Sequence, residues 1–169
     1  HSAVRDAVIE AFDQGQYHAY APPLGFETLR ALIRQDIGLP DASVIVTDGA
    51  VQGLYSICAS FCQPGTEFLT TDPSWAWPMP FAQRAGATVV QMPIYNPDNG
   101  YKLTVAQLRS HVNERTRVIY LVDPNNPLGT CHTAAEIEEF ASIARDAGAY
   151  LIHDATYFQF ADDFTPAYT

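Results

Sequence analysis

Four short segments carry the side chains that can do chemistry. Asp48-Gly49-Ala50-Val51-Gln52-Gly53 joins a β-branched run to a helix-spaced one. Its small residues let a ligand approach the backbone, and the N–H groups of a helix's first turn suit a phosphate, although glycine at such a junction also serves as a plain turn. Asp72-Pro73-Ser74-Trp75-Ala76-Trp77 sets two tryptophans beside a turn, either as core anchors or as a flat wall against a heteroaromatic ring. In Asp123-Pro124-Asn125-Asn126-Pro127-Leu128-Gly129-Thr130 an asparagine amide can donate to an anionic oxygen, and a bare turn would look the same. His153-Asp154-Ala155-Thr156-Tyr157 places a carboxylate at the end of an apolar strand, which is costly without a partner. A protonated ring nitrogen would be such a partner, and Tyr157 could donate to a phenolate oxygen. A helix N-cap is the structural alternative for Asp154.

Other reactive residue types show less pattern. His1, His18, His111, His132 and His153 contain no i,i+4 pair, so no zinc site is expected. His153, next to Asp154 on a strand, faces the opposite side and reads as packing. Cys58 and Cys62 share a helix face and read as small buried hydrophobes. With Cys131 they make an odd count, which suggests free thiols in a reducing compartment and a cytoplasmic protein. Arg30 suits a helix-surface ion pair or a dimer contact. Neither a Gly-x-Ser-x-Gly elbow nor a Gly-x-Gly-x-x-Gly fingerprint is present.

The elements that must position these segments alternate. Helical spacing predicts helices over Ser2 to Gln14, Phe26 to Ile37, Ala50 to Phe61, Trp77 to Ala85, Thr104 to Val112 and Thr133 to Ala147. Strands are expected at Val44 to Thr47, Glu67 to Thr70, Thr88 to Met92, Arg117 to Val122 and Tyr150 to His153. Such alternation predicts an α/β fold of three layers, αβα, around a mostly parallel mixed sheet. Ligands in such folds sit beyond the carboxyl ends of the strands, where all four segments fall.

Composition is that of one globular domain. Of 169 residues, 47% are apolar and 17% charged, and the formal net charge of -10 has no basic cluster to bind a nucleic-acid backbone. No apolar run reaches membrane-spanning length. Residues 1–169 are expected to form one domain, a fragment of a longer protein, with 1–19 a linker helix from a preceding part.

The four segments, with the Tyr20 region, resemble the class I/II aminotransferases of the fold-type I family that uses pyridoxal 5'-phosphate (PLP). Tyr20-Ala-Pro-Pro-Leu-Gly25 with Leu29-Arg30 is similar to that family's Tyr-x-x-x-x-Gly…Leu-Arg segment, and Val46 to Gln52 to its phosphate-binding turn. Gln63-Pro64-Gly65-Thr66-Glu67 with Pro73-Ser74-Trp75 resembles Pro-Gly-Asp-Glu…Pro-x-aromatic. Asn125-Asn126-Pro127-Leu128-Gly129 resembles Asn-Asn-Pro-Thr-Gly, with Leu128 in place of Thr, and Asp154-x-x-Tyr157 matches the Asp-x-x-Tyr pair.

The resemblance implies that Asp154 pairs with the protonated pyridine nitrogen, that Asn126 and Tyr157 hydrogen-bond the ring's phenolic oxygen, and that Trp75 stacks on the ring. It further implies that the N–H groups of Ala50 and Val51 hold the phosphate at a turn shaped by Gly49, and that Tyr20 reaches the phosphate in the neighbouring subunit of a homodimer. Amino-group transfer between an amino acid and a 2-oxo acid is the implied activity. C–S lyases, decarboxylases and synthases share the scaffold, and a PLP-sensing regulator fused to a DNA-binding domain is a reading of another class. The family's covalent lysine is expected past Thr169. The only lysine here, Lys102, lies outside the motif order, so the chain alone is expected to be inactive.

Overall fold

In the computed structural model, which describes residues 1–162 and 164–167, four strands form one parallel sheet. They are β1 (Glu67–Asp72), β2 (Thr88–Pro93), β3 (Thr116–Val122) and β4 (Tyr150–Asp154), in the order β2-β1-β3-β4. β1 and β3 occupy the centre and are buried almost throughout, as a strand covered on both faces must be. The described residues also form six α-helices: α1 (Ser2–Asp13), α2 (Glu27–Asp36), α3 (Gly49–Phe61), α4 (Pro78–Arg84), α5 (Val105–His111) and α6 (Ala134–Asp146).

Two apolar layers flank the sheet and make it the middle of three. On one side Leu54 and Cys58 of α3, with Cys62 just past its end, meet Phe68, Val118 and Tyr120. On the other, Leu108 of α5 and Ile137, Phe140 and Ile143 of α6 meet Leu69, Ile119 and Leu121. Alternation along β3 splits its side chains between these layers: residues 118, 120 and 122 face α3, and 119 and 121 face α6. Phe140 is fully buried, and burial of such a side chain stabilises the fold by about 1.5–3 kcal/mol.

Local chemistry sets the helix ends. Thr133 caps α6 in a reciprocal box with Glu136, whose carboxylate also accepts from Lys102 Nζ at 2.8 Å. Thr104 caps α5 through the backbone N–H of Gln107. Cys58 on α3 and Cys62 just after it are buried with free thiols, in keeping with their reading as small hydrophobes.

Contacts divide the chain into two compact units, His1–Gly49 and Ala50–Thr169. The second holds the whole sheet. In the first, Arg30 on α2 donates to Val44 O at 2.7 Å and pairs with Glu27, which also binds Arg34, so Arg30 serves an ion pair within its own unit.

One expected strand does not form. Residues 44–47 are irregular: Val46 N–H donates to Leu24 O at 3.0 Å, a single bond and not a ladder. β-branched residues favour strands only where a neighbouring strand supplies the ladder, and among the described residues none pairs with this run. The close run beside Leu24 requires glycine at position 25. Its φ is +92°, and a Cβ there would lie 2.5 Å from Val46 Cγ2. The other elements agree with expectation to within one or two residues, and the sheet is parallel in every pair.

Candidate active site at the carboxyl edge of the sheet

Parallel strands bring all their carboxyl ends to one edge, and the segments that follow β1, β3 and β4 meet there. Ala50, Trp75, Val122, Asn126, Asp154, Thr156 and Tyr157 line one cavity of about 150 Å³. Each arrives by a different route. Ala50 lies in the first turn of α3, whose N–H groups have no carbonyl four residues back to bond. Gly49 opens that helix at φ +71°, a conformation that favours glycine. Trp75 follows β1 and rests against the α3-side core, so it is at once an anchor and a wall of the cavity. Trp77 is 6.4 Å away between ring centroids and largely exposed.

Asn126 sits in the loop after β3, where the bonds before Pro124 and Pro127 are cis. Asn125 turns that loop, accepting Leu128 N–H on its side chain while its own N–H donates to Thr130 O. Asn126 Nδ2 donates to Tyr157 Oη at 3.4 Å. These two residues also border a wider cavity of about 990 Å³ that reaches Cys131 and His132.

Asp154 ends β4 with both carboxylate oxygens engaged. Oδ2 accepts from Tyr120 Oη at 2.7 Å, and Oδ1 accepts from Thr156 Oγ1 at 2.7 Å and Thr156 N at 3.2 Å. The acid therefore shapes its own turn and also faces the cavity, and it caps no helix: the short helix that follows, residues 158–160, begins after Tyr157 without a side-chain cap.

A second carboxylate stands beside it. Asp123 N–H donates to Asp154 O at 3.0 Å, and the Asp123 side chain points into the α6-side layer, completely buried. Its Oδ1 accepts from His132 N at 3.0 Å and His132 Nδ1 at 2.9 Å, and its Oδ2 lies 3.3 Å from His153 Nε2. Ala167 N–H donates to His153 Nδ1 at 3.0 Å, which leaves Nε2 to carry the proton towards Asp123. Burial works to raise the Asp123 carboxyl, but the hydrogen bonds from His132 and His153 outweigh it and hold the group well below the usual carboxylate range. The effect reaches Cys131, whose thiol is pushed up to about 11 by burial and by the Asp123 charge.

Of the residues singled out in the sequence, Ala50, Trp75, Asn126, Asp154 and Tyr157 share the cavity wall. Val51 stands beside Ala50 in the first turn of α3, partly exposed, and does not line the cavity. Tyr20 lies in the first unit with its side chain fully exposed. Sequence reasoning missed Thr156, Tyr120 and the Asp123 cluster. His153 was placed on the correct face, and its alternation with Asp154 was the one available signal for a partner on the α6 side.

The family model described as aminotransferase class I and II matches residues 1–168. The chain belongs to that family. An aspartate aminotransferase from Streptomyces avermitilis is 34% identical over 157 residues, covering 89% of this chain and 38% of its own length. Aromatic-amino-acid aminotransferase 2 of Thermococcus litoralis is 28% identical over 173 residues, 98% of this chain and 44% of that protein. Among solved structures, a double mutant of Thermus thermophilus aspartate aminotransferase superposes with a TM-score of 0.85 at 29% identity, covering 93% of this chain and 42% of that one. This aminotransferase-family chain therefore spans less than half the length of these relatives.

Proposed function

We propose that the full-length protein is a PLP-dependent aminotransferase that moves an amino group between an amino acid and a 2-oxo acid, and that this chain supplies most of its cofactor-binding edge. The observation that carries the reading is the convergence of Ala50, Trp75, Asn126, Asp154 and Tyr157 on one cavity.

The donor set fits PLP in kind. Asp154 supplies a carboxylate for a protonated ring nitrogen, Asn126 and Tyr157 supply donors for a phenolic oxygen, and Trp75 supplies an aromatic face. The first-turn N–H groups of α3, at Ala50 and Val51, suit a phosphate, and Gly49 gives the backbone its entry to that turn. When bound, the cofactor serves as an electron sink for charge developing at the substrate's α-carbon. Asp154 keeps the ring nitrogen protonated, which that role requires.

Lys102 is engaged with Glu136 at 2.8 Å and does not line the cavity, so the covalent lysine is expected beyond this chain. In this reading the working protein is a homodimer in which the exposed Tyr20 serves the neighbouring subunit's phosphate. Free thiols support a cytoplasmic setting. Among the described residues no helix is long and apolar enough to cross a membrane.

The test is to add PLP to the full-length protein and then offer amino acids with a 2-oxo acid. A cofactor absorption band and a new amino acid product are expected. A protein that forms no band refutes the reading. A band with carbon–sulfur cleavage or decarboxylation in place of transfer refutes the reaction assigned.

A further inference from the structure

We infer that Tyr120 is a positioning residue for the ring-nitrogen carboxylate: its buried hydroxyl fixes the orientation of Asp154. The inference rests on the cofactor reading above and adds a residue that no motif marks.

The sheet register places the pair. β3 and β4 run parallel with Tyr120 opposite Ile152 and Val122 opposite Asp154. Residues two apart on a strand share a face, so Tyr120 and Asp154 are diagonal neighbours on the α3 side. A diagonal of about 7–8 Å is spanned only by a long side chain. Tyr120 spans it and ends 2.7 Å from Asp154 Oδ2. Its ring is held in the core, 1% exposed and 6.0 Å from Phe68 between centroids, so the hydroxyl has little room to move.

A buried hydroxyl is costly unless bonded, and Asp154 is the partner that offsets that cost. Phenylalanine would fill the same volume without it. Burial first, and then the neighbouring Asp154 charge, push the phenol well above its ordinary value, so it stays a donor wherever the protein is folded. Thr156 grips the other oxygen from the loop. The carboxylate is thus oriented from the core on one side and from its own turn on the other, before any ligand arrives.

The test uses the full-length protein loaded with PLP labelled with ¹⁵N in the ring. In Tyr120→Phe the carboxylate loses its core-side donor and its fixed aim at the ring nitrogen, and the ring-nitrogen resonance moves towards that of the unprotonated ring. PLP affinity falls about tenfold, the low end for losing a partner that orients a ligand-binding group. Should that variant not fold, 3-fluorotyrosine installed at position 120 keeps the shape and strengthens the donor, and it moves the resonance the opposite way. A wild-type protein that binds PLP, with a resonance unchanged by either replacement, overturns the inference alone. A wild-type protein that binds no PLP overturns the cofactor reading and the inference with it.

Discussion

Two aspartates stand at the ends of neighbouring strands, joined by a backbone hydrogen bond, and they live in opposite environments. Asp123 is completely buried on the α6 side, where both of its oxygens are taken up by His132 and His153. Asp154, one strand over and on the other face, is partly exposed and borders a cavity. Three donors meet it among the described residues, on a carboxylate with about four lone-pair sites. The same side chain at the same edge is therefore a closed clamp in one case and an oriented acceptor in the other. Strand alternation decides which: residue 153 turns its ring to the clamp and residue 154 turns its acid to the cavity.

The comparison breaks if the two acids are interchangeable, and each replacement tests that. Asp154→Ala in the full-length protein should lower turnover by at least about a hundredfold, the scale of losing an electrostatic contact that acts on developing charge. The unfolding midpoint should fall by less than in Asp123→Ala, because a single buried donor, the Tyr120 hydroxyl, loses its partner. Steady-state kinetics beside a melting curve checks both, and retained turnover would remove the ring-nitrogen role. Asp123→Ala should do the reverse. It strands buried N–H donors of two histidines and should cost about 3 kcal/mol of stability, read from denaturant unfolding.

Acid sharpens the contrast. The folded Asp123 pKa is depressed, so the stability it confers is present above the unfolded value of about 3.9 and is lost as pH falls through the folded one. Glu67 acts in the same direction: burial opposes its ionisation, but Asn113 and Arg115 hold its pKa down. Wild-type melting temperature should therefore drop steeply below about pH 4, and Asp123→Asn should flatten that slope. The smallest effect expected is that of Trp75→Ala, which should weaken PLP binding by about 1 kcal/mol, the worth of an aromatic stack. An unchanged affinity in a titration would confine Trp75 to packing.

Much of this was legible because it is local. The period along α6, from Ile137 through Phe140 to Ala144, and the apolar run of β3 announce their elements, and the parallel fold then sends every strand-end segment to one edge. What stayed hidden depends on distant partners. Residues 44–47 have strand composition but no ladder beside them. Tyr120 reads in sequence as one more core aromatic, and only the register of β3 against β4 shows what its hydroxyl meets. Asp123 looked like the start of a turn, because His132 and His153 lie 9 and 30 residues away along the chain.

The most direct test of the central claim is a crystal structure of the full-length protein grown with PLP. The account predicts the ring against Trp75 with its nitrogen within hydrogen-bond reach of an Asp154 oxygen, about 2.7–2.9 Å, and with Asp123 still enclosed by its two histidines. A ring bound at another edge of the sheet, or one whose nitrogen faces no carboxylate, would contradict it.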